Sequence, residues 1–157
     1  MASGGGEGSS KTIRSSQESP EDFLRRFFRA MQEWEEYASR KTHEAMVSEN
    51  EVDPELGDQA SRESIEALRR IFREFCTTEE PERGLTYSEP PEYDPEGEKI
   101  LEVRPSRGGV RIITQQTTTG YDHKLVYTLV KGPDGWRLKD NRVYIDEDDG
   151  SEQPWDL

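Results

Sequence analysis

Few residues of this chain have a type and spacing that could do chemistry. The histidines are His43 and His123, far apart, and neither has a second histidine or cysteine at the spacing a tetrahedral metal site needs. Cys76 stands alone, so it forms no internal disulfide and no cysteine-rich zinc site; as a small apolar filler it suits a reducing compartment. Acid/base work needs a tyrosine or histidine beside a carboxylate of raised pKa. The pairings on offer are Asp122 with His123, and Asp140 near Tyr127 or Tyr144. Adjacent residues on a regular strand point to opposite faces, so Asp122 and His123 do not enter one cavity together. No Gly-x-Ser-x-Gly turn or Gly-x-x-x-x-Gly-Lys loop occurs, and the glycines of the first ten residues follow no strand. These residues call for no metal and no cofactor, and they specify no enzyme.

What the chain does carry is acid. Its 157 residues hold 34 Asp and Glu against 21 Lys and Arg, a net charge of −13. Residues 49–58 have five acids and no base, residues 77–98 have eight acids and one base, and residues 144–157 have six acids and no base. The remainder of the chain is therefore net basic, and the acid sits in the connections and the tail. Repulsion disfavours nucleic acid and anionic membrane as partners, whereas a basic protein is attracted and steered. The candidate partner-binding residues are Glu49, Glu51 and Asp53 in the first connection, and Asp146, Glu147, Asp148 and Asp149, which follow directly on a strand.

The elements that position these residues follow from periodicity. Residues 1–18 mix Gly, Ser, Glu and Lys and cannot bury enough surface to offset their ordering entropy, which predicts a disordered leader. Ser19-Pro20-Glu21-Asp22 supplies a capping hydroxyl, proline at the first helical position and acids at the positive end of the dipole. A helix starts there, with Phe23, Phe27, Met31, Trp34 and Ala38 on one face, and runs to about Met46. A second helix, beginning near Asp58 or Ser61, places Ile65, Leu68, Ile71, Phe72 and Phe75 on one side and ends around Cys76 to Thr78. Prolines 81, 90, 91 and 95 make the next stretch a loop, with at best a short strand at Leu85 to Ser88.

From Glu98 four strands follow, at Lys99 to Arg104, Val110 to Thr119, Tyr121 to Lys131 and Trp136 to Ile145, joined by glycine turns that force antiparallel neighbours. In the last of them the apolar phase moves from Trp136 and Leu138 to Val143 and Ile145, which predicts a one-residue bulge at Asp140-Asn141. The fold class is α+β: two helices packed on a curved antiparallel sheet of about four strands, a single domain over 19–146 with an acidic tail at 147–157. The concavity of such a cone would be lined by Phe27, Trp34, Tyr127, Trp136 and Tyr144. An apolar outer sheet face beside Thr117, Thr119 and Tyr121 would favour a homodimer. The apolar runs are of strand length, far short of a ~20-residue span, and no signal-peptide pattern opens the chain, so it is expected to stay in the cytoplasm.

The order of elements, with Gln115-Gln116-Thr117-Thr118-Thr119-Gly120-Tyr121-Asp122-His123-Lys124, Tyr127-Thr128-Leu129-Val130-Lys131 and Gly135-Trp136-Arg137-Leu138-Lys139-Asp140-Asn141-Arg142, resembles the NTF2-fold immunity proteins of bacterial polymorphic toxin systems, including the Rhs-associated group. The resemblance implies a protein of the producing cell's cytoplasm that binds and neutralises a cognate toxin domain. Nuclease toxins are often basic, which suits the acidic connections. NTF2-like isomerases and dehydratases, and homodimeric NTF2-type scaffolds, are the other classes the resemblance implies.

Overall fold

The computed structural model describes residues 18–49, 51–81, 91–117 and 123–157. The expected leader (but for Glu18), the short strand at Leu85 to Ser88, and Thr119, Tyr121 and Asp122 lie outside the described residues. Helix α1 spans Pro20–Glu44, and its cap is the one the sequence predicts, the Ser19 hydroxyl accepting from the Asp22 amide at 3.1 Å. The helix stops short of Met46 because the chain turns into a small hairpin, β1 (Met46–Ser48) paired with β2 (Glu51–Val52). Helix α2 spans Pro54–Phe75 and so begins before the expected Asp58 or Ser61. Asp53 is its cap, accepting from the Glu55 and Leu56 amides, both at 3.0 Å, with Pro54 in the first turn.

The sheet has five antiparallel strands in the order β3-β4-β5-β6-β7: β3 (Glu98–Ser106), β4 (Gly109–Gln116), β5 (His123–Gly132), β6 (Gly135–Ile145) and β7 (Glu152–Asp156). The count exceeds the expected four because Glu152–Asp156, read from the sequence as tail, pairs along β6 from Ile145 to Asn141. Gly109 is required where it stands, since a Cβ there would lie 1.9 Å from the Leu129 carbonyl oxygen.

The register of β6 breaks where the sequence predicts, but not in the predicted way. Tyr127 pairs with Arg142 and Leu129 with Leu138, so two steps along β5 are matched by four along β6. Two extra residues rather than one keep the same phase on both sides of the break. Leu138, Arg142 and Tyr144 therefore share the inner face with Leu129, Tyr127 and Leu125, and Val143 and Ile145 turn outward. A second irregularity falls between Ile100 and Glu102 of β3.

Both helices lie on the inner face of the sheet. The core joins Phe23, Leu24, Phe27, Phe28, Met31 and Trp34 of α1 and Leu68, Phe72 and Phe75 of α2 to Ile112, Leu125, Tyr127, Leu129 and Leu138 of the sheet. The end of α2 is tied to β6 by the Thr77 amide donating to the Leu138 carbonyl at 2.8 Å. Among the described residues no helix is long and apolar enough to cross a membrane.

Candidate functional site

Two places in this frame concentrate polar chemistry: the interior of the cone and the hairpin end of the helical layer. The interior holds a chain of buried polar groups contributed by β3, β4, β5, β6 and the segment before β3. Glu98 is its hub, its Oε2 accepting from the Thr114 hydroxyl at 2.6 Å and the Tyr127 hydroxyl at 2.7 Å, and its Oε1 from Gln116 Nε2 at 3.4 Å. Arg142, 1% exposed, donates to the Tyr127 oxygen at 2.9 Å and to Glu92 Oε1 at 2.9 Å. Its guanidinium lies 4.9 Å from the Tyr93 ring centroid and 4.6 Å from that of Trp155, so aromatic faces supply what carboxylates do not. The Tyr93 amide in turn donates to the buried Glu35 carboxylate of α1 at 3.1 Å, fixing the Glu92 segment against the helix.

Burial dominates the electrostatics of this network. It raises the Glu98 carboxyl above its ordinary value, and Arg142, Thr114 and Tyr127 only partly oppose it. The Tyr127 phenol is pushed well above its ordinary value by burial and by Glu98, so it stays a neutral donor. Burial pulls Arg142 down, but the surrounding Tyr127, Tyr93, Glu92 and Glu98 outweigh it and keep the guanidinium charged. A folded pKa above the unfolded one means that the native state binds the Glu98 proton more tightly, so this carboxyl costs stability as pH rises from the ordinary glutamate range through its raised value. Urea unfolding over a pH series checks this: stability of a Glu98→Gln variant relative to the parent should climb through that window and level off above it. A difference independent of pH would refute the raised pKa.

The hairpin end is the other concentration. Val47, Val52 and Leu56 are 61%, 42% and 48% exposed, and with Leu101 they are the exposed large apolar residues among those described. They stand among exposed Glu44, Glu49, Glu51, Glu55 and Asp58, and no Lys or Arg occurs from Glu44 to Asp58. Leu56 shares a shallow depression with Lys41, Glu44 and Glu63, so exposed apolar side chains stand here beside mostly acidic ones, as on protein-binding surfaces.

The chain matches the family of NTF2 fold immunity proteins over residues 19–153. It belongs to that family. No curated protein and no solved structure matches it.

In this immunity protein the other residues singled out from sequence fall in separate places. Phe27, Trp34 and Tyr127 are packed inside the core, Trp34 donating through Nε1 to the Ser64 carbonyl at 2.8 Å. Trp136 lies at the periphery, its indole nitrogen donating to the Glu18 carbonyl at 2.9 Å, which brings the end of the expected leader onto the fold. Tyr144 packs edge-on against His123 and Trp155, with centroids 5.2 and 6.3 Å away. The Asp140 side chain lies outside the described residues; the carboxylate that Tyr127 meets is Glu98.

Asp146 to Asp149 form an ordered turn between β6 and β7. The Asp146 carboxylate accepts from the Asp148 and Asp149 amides, and Asp149 accepts from the Ser151 amide at 2.8 Å; the Ser151 hydroxyl and then this amide hold the Asp149 carboxyl below the ordinary aspartate value. Two of the four acids thus fold their own turn, and the exposed Glu147 and Asp148 project from it. On the outer face of the sheet, Ile113, Val126 and Ile145 share a shallow depression with Arg104, Arg111 and Glu152, where Arg111 pairs with Glu152 and Arg104 with Glu102.

Neither Glu98 nor Arg142 stood out in the sequence. The sequence offers no signal for them, because β3 also carries Lys99, Glu102 and Arg104, and β6 also carries Arg137, Lys139 and Asp140.

Proposed function

We propose that this chain neutralises a cognate toxin domain by binding it, and that the hairpin end of the helical layer is the surface that meets the toxin. The observation that carries the reading is the exposed Val47, Val52 and Leu56 set among acids with no base between Glu44 and Asp58. Apolar centre and acidic rim together fit a basic partner: the centre supplies affinity and the rim steers encounter. The family supports an immunity role, and the filled interior supports binding rather than turnover, because Glu98, Tyr127 and Arg142 spend their hydrogen bonds on one another.

The test uses the toxin domain encoded beside the chain's gene. Association rates are measured across a salt series for the parent, for a variant with Glu49, Glu51, Glu55 and Asp58 changed to Gln or Asn, and for one with Asp146 to Asp149 so changed. The first variant should lose much of the low-salt on-rate and show a shallower salt dependence, since rim acids act within a Debye length of ~8 Å at physiological salt. The turn variant should stay close to the parent. A parent that does not bind the toxin sinks the reading, and a loss confined to the turn variant moves the interface to that turn.

A further inference from the structure

Gly57 is a glycine that its own backbone does not require. It stands inside helix α2 without a positive φ, the fourth residue after the Asp53 cap, and its amide donates to the Asp53 carbonyl at 2.7 Å. In such a position glycine is less favourable than alanine. The reason for it lies in the preceding strand: a Cβ on Gly57 would meet Cγ1 of Val52 at 2.9 Å, nearer than the ordinary carbon–carbon contact of about 3.5–4.0 Å.

Val52 is the residue immediately before the cap. An apolar residue there commonly packs on an apolar side chain at the fourth helical position, and this staple fixes the angle at which the chain enters the helix. Here the second side chain is missing, so Val52 comes down into the space that a Cβ would fill. The rest of the hairpin hangs from this seat. Met46 pairs with Val52 and Ser48 with Glu51, and the Asp53 amide donates to the Ala45 carbonyl at 2.9 Å, which ties β2 back to the end of α1. Burial does not hold Val47 and Val52 in place, for they are 61% and 42% exposed.

We infer that Gly57 is a positioning residue for the toxin-binding surface: by leaving room for Val52 it sets the angle at which the β1–β2 hairpin stands on α2, and so where Val47 and Val52 lie relative to Leu56. The inference rests on the toxin-binding reading and adds what holds that surface in shape. A Cβ at this position displaces Val52 by roughly 1 Å. A β-branched side chain has little freedom to turn aside, so the movement passes into the hairpin through the pairing of Val52 with Met46. An exposed hairpin absorbs such a shift at small cost to the fold. A preformed interface does not, because its complementarity to a partner is set at that scale.

Gly57→Ala tests this in the full chain, alone and combined with Val52→Ala, which removes the methyl groups that a new Cβ would strike. Two quantities are read: hydrogen exchange of the Asp53 amide without toxin, and affinity for the toxin domain by calorimetric titration. In the parent background Gly57→Ala should speed Asp53 exchange about tenfold and weaken toxin binding about five- to tenfold, a coupling expected between neighbours. In the Val52→Ala background it should do neither. The thermal midpoint should hold or rise, by up to about 4 °C, because alanine favours the helix, so the lost affinity is not lost fold. Unchanged exchange at Asp53 in Gly57→Ala, or an equal loss of affinity in both backgrounds, overturns the inference. A parent that ignores the toxin sinks the wider reading, and the exchange rates alone then decide whether Gly57 seats the hairpin. Toxin binding that Gly57→Ala leaves intact sinks only this inference.

Discussion

Replacing Arg142 by alanine should cost about 3–5 kcal/mol of folding stability, the range for breaking a buried ion pair by removing one partner. Against a usual total of about 5–15 kcal/mol, that is enough to leave the domain marginal. Three losses combine. Glu92, whose carboxylate is 15% exposed, loses the cation that holds it at 2.9 Å. The Tyr127 oxygen loses a donor while still donating to Glu98. The space between Tyr93, Tyr127 and Trp155 empties, and Trp155 is the residue through which β7 reaches the guanidinium. Arg142→Met keeps most of the volume while removing the charge and its donors, so it should cost less than alanine, and adding Glu92→Gln should recover part of that cost because the stranded carboxylate is gone. Urea unfolding of the parent, Arg142→Met, Glu92→Gln and the double variant gives the cycle that isolates the Arg142–Glu92 coupling. A cost below about 1 kcal/mol for the alanine variant would mean that the network contributes little to the fold.

Leu56→Arg should weaken toxin binding by about 30–100-fold, roughly 2–3 kcal/mol, while stability moves by no more than about 0.5 kcal/mol. Leu56 lies in the first turn of α2 and is 48% exposed, so arginine is tolerated there by the fold. At the proposed interface the change would act twice: it would delete an apolar contact, and it would set a cation where the proposal brings a basic partner. Leu56→Ala separates the two effects, and should lose only the smaller, apolar part. Calorimetric titration with the toxin domain, beside thermal unfolding of each variant alone, reads both quantities. Unchanged affinity in Leu56→Arg would place the toxin elsewhere on the molecule and leave the acids of residues 49–58 as solvated surface.

The parts of this protein that were legible in its sequence are those governed by near neighbours. Ser19-Pro20-Glu21-Asp22 set the start of α1 because capping and dipole effects act within one turn. The spacing of Phe23, Phe27, Met31 and Trp34 set its buried face, and the glycine turns set antiparallel pairing from β3 to β6. Asp53-Pro54-Glu55 carries the same cap signature as Ser19-Pro20-Glu21, so the start of α2 is legible in the sequence ahead of Asp58 and Ser61.

What only the tertiary structure decided depends on residues far apart in the chain. Glu152–Asp156 is acid-flanked and contains Pro154, a poor strand by local criteria, and becomes β7 because the edge of β6 is there to pair with it. Arg142 reads as a surface residue if one extra residue turns Val143 and Ile145 inward; the two extra residues of β6 leave it in the phase of Leu138, and its carboxylate partner lies 50 residues earlier. The open gap between Ala38, Thr42 and Ala45 and, across from them, Gly57, Ala60 and Ser64 has no sequence motif at all: it exists because small residues of two segments coincide in space, and periodicity within one helix reports which face is buried, not what stands opposite it. Local sequence fixes the conformation of a segment, whereas burial of a charge or the opening of a gap is set by the partner that packing brings, and that partner is chosen by the whole chain.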